Sequence, residues 1–238
     1  MNTTLDIILK SIKYLVIYGV PILGGLHTFC YAKSPKYYFF IMRIFSKWRD
    51  TTWQVNAEYI LEDIGDAYQK IESILKEKYK NDGYKRTVNM KDKKVYEFSI
   101  FNCLICDDFQ SGDFSSKKIF VRISKLNVTL NTAEEKLREL REFFNSIERI
   151  LKPKHSGYSF DIYFRNGKNP FFGLMVQRLG KENVSHFECV FPIGAIVSKN
   201  SGSDKSQHDM RIYKEKVCIN ESSFDTIEET AKRALLFK

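Results

Sequence analysis

Residues Tyr14 to Ala32, YLVIYGVPILGGLHTFCYA, run nineteen positions without a formal charge. The fold turns on whether this stretch stands apart from a globular body or belongs to its core. As a helix rising about 1.5 Å per residue it would measure roughly 28 Å, just enough for a ~30 Å hydrocarbon layer. Lys10 and Lys13 precede it, Lys33 and Lys36 follow it, and Tyr14 and Tyr31 sit at its rims, where interfacial anchors belong. Pro21, Gly19, Gly24, Gly25 and His27 work against insertion or helix formation. Two other readings stay open: a buried, glycine-broken helical hairpin opening a soluble domain, and a signal peptide cleaved after Cys30-Tyr31-Ala32. The thirteen-residue lead containing Asp6, and the large Tyr31 beside the cleavage position, oppose the signal peptide. The expectation is a single-pass anchor marked by Tyr14, Pro21 and Tyr31.

Charge gives the orientation. Lys10 and Lys13 flank one end, against Lys33, Lys36, Arg43, Lys47 and Arg49 at the other, so the positive-inside bias puts the C-terminal bulk in the cytoplasm. The stretch from Tyr37 to Asp50, YYFFIMRIFSKWRD, has the makeup of a basic juxtamembrane helix, or of a core helix using Phe39, Phe40, Ile44 and Phe45. Residues 1–50 hold seven Lys and Arg against two Asp, so +5 of the chain's +9 lies there. The other 188 residues hold 31 basic and 27 acidic side chains, a mixed surface that is no nucleic-acid signature. They suffice for one full core without disulfides. Five cysteines, an odd number in apolar contexts, suit a reducing compartment. Ser198 to Asp209 reads as a loop.

Beyond residue 50 the pattern predicts an α+β domain over 51–238. Thr52–Leu61 is a strand, and Asp63–Lys80 has helical spacing at Ile64, Ala67, Tyr68, Ile71, Ile74 and Leu75. Strands follow over Tyr84–Met90, Lys94–Cys106 and Lys118–Val128. Asn131–Leu151 is a helix with Leu137, Leu140, Phe144, Ile147 and Leu151 in one stripe and Glu134 and Glu135 in its first turn. After Pro153 and Gly157 come strands over Tyr158–Arg165, Phe171–Arg178, Ser185–Phe191 and Met210–Ile219, then a helix from Asp225 to Phe237. NTAEEKLREL at Asn131 echoes DTIEETAKRAL at Asp225, which suggests two copies of a sheet-plus-helix unit, 52–151 and 158–238. The expected architecture is antiparallel sheet with helices on one face.

The chemical motifs are weak. Cys103 and Cys106 are spaced as zinc ligands, but Leu104 and Ile105 between them read as strand, and residues three apart on a strand face opposite ways. Asp107, Asp108 and Asp113 lack the spacing of a known calcium loop. No nucleophile elbow and no phosphate-binding glycine loop is present. An enzyme is not expected, nor a cofactor or resident metal. A binding site is: Tyr163, Arg165, Lys168 and Arg178 surround an Asn-Gly-Lys-Asn-Pro turn, where a ring stacks a base and cations meet phosphate. The first functional reading is a membrane-anchored sensor or assembly module, in contact with membrane lipid, that binds a protein partner, a second copy of itself or a nucleotide-like anion. The alternatives are a soluble nucleotide or nucleic-acid binder, with extended nucleic acid the lesser fit, and a metal-dependent hydrolase at Asp107–Asp113.

Overall fold

The computed structural model describes residues 13–34, 37, 40–41, 44, 51–81, 83–107, 117–129, 132–164, 169, 172, 186–193 and 209–235. Its elements are a π-helical turn Leu15–Gly19, α1 (Val20–Lys33), β1 (Thr51–Leu61), α2 (Ala67–Lys78), β2 (Tyr84–Asn89), β3 (Lys93–Phe98), β4 (Asn102–Asp107), β5 (Lys117–Val128), α3 (Ala133–Leu151), β6 (His155–Phe164), β7 (Glu188–Pro192), β8 (Asp209–Tyr213), β9 (Lys216–Glu221) and α4 (Phe224–Leu235). The strands form one sheet, β2-β3-β4-β5-β1-β6-β9-β8-β7, and every pairing in it is antiparallel.

Alternation in β1 sets the layers. Trp53, Val55, Ala57, Tyr59 and Leu61 are buried while Gln54, Asn56, Glu58 and Ile60 are half-exposed, as a period of two requires when one face is covered. The covering layer is α2, α3 and α4, with α3 in the middle touching both others. Its stripe of Leu137, Leu140, Phe143, Phe144 and Ile147 is buried in one cluster with the inward side chains of the strands. Ring contacts run within and between the layers: Trp53 to Phe160 in the sheet at 5.1 Å, Phe144 to Tyr158 from helix to sheet at 5.6 Å and Phe144 to Phe224 between helices at 5.1 Å. Antiparallel sheet with helices on one face is therefore the architecture of the domain.

Two expected single strands are each two. Lys94–Cys106 turns back at Ser99–Ile100, where the Phe98 N–H donates to the Phe101 carbonyl at 2.9 Å. The turn brings Phe98 and Phe101 together against Tyr79, with centroids 4.7–5.5 Å apart. Aromatic packing replaces the glycine or proline that usually announces a turn. Met210–Ile219 likewise breaks at Lys214-Glu215, whose Glu215 carbonyl accepts from the Phe164 N–H at 3.0 Å. The expected strand Phe171–Arg178 lies outside the described residues, apart from Phe172.

The N-terminal segment is helical from Lys13 to Lys33 but is not one regular helix. A π-turn occupies Leu15–Gly19 and α1 begins with Pro21 in its first turn; proline lacks an N–H, and the widened turn absorbs the missing bond. No helix among the described residues is long and apolar enough to cross a membrane, so the spanning helix expected over 14–32 is without support. Tyr14 and Pro21 are exposed, and Tyr31 lies in the last turn of α1. The large apolar side chains here, among them Leu15, Ile22, Leu23 and Phe29, are 47–68% exposed.

The sheet has a near two-fold arrangement about the β1–β6 pair. Outward from it the strands run β5-β4-β3-β2 on one side and β9-β8-β7 on the other. The registers match as well. Val55 pairs with Ile123 and Ile123 with Cys103; at the equivalent place Ile162 pairs with Val217 and Val217 with Ile212. Trp53–Leu126 corresponds to Phe160–Ile219. The centre is the facing pair Gln54 and Asp161. One difference breaks the match: between Ile123 and Leu126 the chain takes a bulge with Lys125 at φ 60°, which keeps Leu126 and Val128 inward.

Glu72 on α2 fastens the β2–β3 edge. It bonds Lys76 at 2.8 Å and Lys94 at 3.2 Å, with Arg86 at 3.7 Å. Burial opposes its charge, but the bonds from Lys76 and Lys94 prevail and hold its carboxyl at about 2. The folded-state value lies below the unfolded one, so this contribution is present above about pH 4.5 and is lost as pH falls toward 2. Urea titrations at pH 5 and pH 3 should show a drop in stability that Glu72→Gln reduces. In the core, Leu140→Ala and Phe144→Ala should each cost about 2 to 5 kcal/mol in the same measurement, and Glu139→Ala less than about 1.

Candidate binding face

The sheet face away from the helices is where polar chemistry gathers. Strand alternation delivers it, since each residue beside an inward apolar one points outward. Across the centre, β1 supplies Thr52, Gln54 and Asn56, β6 supplies Ser159, Asp161 and Tyr163, β5 supplies Arg122 and Asn127, and β9 supplies Lys216 and Asn220. Register places these in matched sets: Thr52 faces Asn127 as Ser159 faces Asn220, and Asn56 faces Arg122 as Tyr163 faces Lys216. Hydroxyl–amide pairs thus flank the Gln54–Asp161 centre, with one cation beyond on each side.

The two sides are wired differently. Thr52 donates to Asn127 Oδ1 at 3.0 Å, and Arg122 Nε donates to Asn56 Oδ1. On the C-terminal side Lys216 Nζ bonds Asp161 Oδ1 at 3.0 Å and lies 5.5 and 5.7 Å from the ring centres of Tyr163 and Tyr213. Burial works against the Lys216 charge, yet Asp161 outweighs it and the ammonium pKa is raised. Lys118 pairs with Glu58 at 2.8 Å and Arg211 approaches Glu188 at 3.9 Å. Much of the charge among the described residues at the centre of this face is therefore matched internally.

Of the expected ligand residues, Tyr163 stands on this face, 37% exposed. Arg165, Lys168 and Arg178 lie outside the described residues. Asn169 from the same expected turn is buried and donates to the Tyr213 carbonyl at 2.6 Å. Sequence reading missed Arg122, Asp161, Lys216 and Tyr213. The signal was available in β1, where Gln54, Asn56 and Glu58 alternate with Trp53, Val55, Ala57 and Tyr59, but nothing marked which distant strands would lie beside them.

Cys103 is buried on the helix side and Cys106 faces the other way, opposite Lys93 and Phe120, so the two thiols diverge as the strand reading expected. Burial pushes the Cys103 thiol far up. Cys218, on the open face within 3.9 Å of Ser159 Oγ, is raised by burial and by Asp161. Neither is a ready thiolate. Among the described residues no group of three or more His, Cys, Asp or Glu is placed to hold a metal; Asp108 and Asp113 fall outside them.

In the native protein at pH 8, Cys103 should resist a thiol reagent and Cys218 should react slowly. Asp161→Asn should speed Cys218 several-fold, because it removes a carboxylate that opposes thiolate formation; site-resolved mass spectrometry gives the rates. No protein-family model matches the chain, and no curated protein is significantly similar to it.

Proposed function

We propose that the protein is a membrane-tethered binding module, with its domain on the cytoplasmic side and the sheet face away from the helices as its partner surface. The observation that carries this is the segment 13–30, whose large apolar side chains are exposed all round instead of packed into the domain. In water each such side chain forgoes about 1.5–3 kcal/mol of burial, so the segment calls for an apolar host. The π-turn and Pro21 suit a short or shallow insertion better than a straight crossing. The matched halves 52–151 and 158–238 support a duplicated sheet-plus-helix unit, giving the open face two related half-sites. Its internally matched charges and its amide, hydroxyl and aromatic groups suit a protein partner.

A second reading, a nucleic-acid binder, draws on one feature: hydroxyl–amide pairs at the centre of a sheet with Arg122 and Lys216 symmetrically outside them. Strands can present such groups to a groove while cations meet phosphate.

Flotation with phosphatidylcholine vesicles tests the tether. The full chain should rise with the lipid, and the variant Leu15→Ser, Ile22→Ser, Leu23→Ser, Phe29→Ser should stay at the bottom with an unchanged melting temperature. A full chain that stays down without detergent refutes the tether. Fluorescence anisotropy with single- and double-stranded oligonucleotides at low salt tests the second reading, which requires binding that Arg122→Glu with Lys216→Glu removes.

A further inference from the structure

At the β2 edge the sheet ends in a hairpin charged unlike the rest of the domain. Residues 80–94 hold six Lys and Arg against Asp82 and Asp92, which leaves 25 basic and 25 acidic side chains in the remainder of 51–238. The β2–β3 hairpin itself, Tyr84–Phe98, holds five Lys and Arg against Asp92 and Glu97, so three of the domain's four excess positive charges sit on this one element. Arg86 and Lys94 point to the helix side and are engaged by Glu72. Lys85, Lys91 and Lys93 are exposed, and none of them is in an ion pair among the described residues, though Lys85 stands across from Glu97. Between Lys93 and the end of β2 comes Met90, 60% exposed at the tip.

The tip is held rigidly. Met90 N–H donates to the Lys93 carbonyl at 2.8 Å, and the Asp92 carbonyl accepts from the Tyr68 hydroxyl at 2.7 Å and the Asp107 N–H at 3.2 Å. Lysine on an edge strand also discourages edge-to-edge pairing, but that role calls for no apolar side chain at the turn and no cations beyond the strand. An apolar tip ringed by unpaired ammonium groups is the arrangement that complements an anionic lipid surface.

We infer that the β2–β3 hairpin is a second membrane contact, with Lys85, Lys91 and Lys93 among anionic phospholipid headgroups and Met90 at the acyl boundary. The inference rests on the tether reading and names the lipid class it adds.

The full chain is floated with neutral phosphatidylcholine vesicles and with vesicles containing about a third phosphatidylserine, in low and high salt. The parent should bind the anionic vesicles more tightly, with the three hairpin lysines contributing roughly 100-fold, about fivefold each, and salt should erase the difference. Lys85→Gln, Lys91→Gln, Lys93→Gln should lower that gain roughly 100-fold while leaving neutral-vesicle binding and melting temperature unchanged, the remainder belonging to the cations beside the tether. Met90→Ser should lower the gain several-fold. A control triple, Arg138→Gln, Arg149→Gln, Lys152→Gln, should keep it. Binding to neutral vesicles with no phosphatidylserine gain, or a gain as large in the hairpin triple as in the parent or reduced equally in the control, overturns the inference and leaves the tether standing. Loss of all neutral-vesicle binding in the parent strikes the tether instead. A duplex oligonucleotide that binds through the same three lysines more tightly than the anionic vesicles overturns the lipid assignment.

Discussion

Everything in the domain depends on the antiparallel pairing of β1 with β6. β1 is bonded on its other side to β5, so it is the strand through which the two halves of the sheet communicate. Its inward residues Val55, Ala57 and Tyr59 have no exposed surface. Tyr59 and Tyr158 place hydroxyls 3.4 Å apart, and Tyr158 donates to Glu148 on α3 at 2.6 Å. That chain ties both central strands to the middle helix through satisfied polar groups; left unpaired, each hydroxyl would cost about 1–3 kcal/mol. Burial raises the pKa of both phenols, so they stay neutral donors across ordinary pH.

One-sided cover follows from this centre. The helices α2, α3 and α4 supply apolar stripes to one face only, and the opposite face keeps the amides, hydroxyls and ion pairs that strand alternation sends outward. A binding surface so built is placed by rigid strands, which fixes its groups better than loops would. Its central positions are related in pairs, but Gln54 with Asp161 and Asn56 with Tyr163 differ in charge and ring character. The halves thus share a frame and differ in what they offer a partner.

Fold class was legible because periodicity is strong where the core is thick. Leu137, Leu140, Phe144 and Ile147 announce α3, and the alternation around Val55 announces β1. The turns at Ser99 and Lys214 were not legible, since ring packing and a bond to Phe164 create them, and both depend on residues far along the chain. The apolar run 14–32 was legible as something that needs an apolar host, but its break into a π-turn and a shorter helix follows from Pro21 acting on a bond four residues back. For the site, Tyr163 could be found because its neighbourhood is aromatic and basic. Arg122, Asp161 and Lys216 could not, because their meaning comes from register, and register is decided by which strand lies beside which.

The mirrored strand order also bears on how the chain assembles during synthesis. The first half, β1 through α3, completes a five-stranded sheet with its own helical cover before any residue of β6 need exist. Until β6 arrives, one long side of β1 presents unpaired backbone groups, a template for any strand nearby. Pairings such as Trp53 with Ile162 span more than a hundred residues of chain, so closing the sheet is a slow, non-local step. In that interval the nascent half is the species most prone to exchange strands with a neighbour, and the arrival of β6 ends the hazard by filling the same edge that creates it.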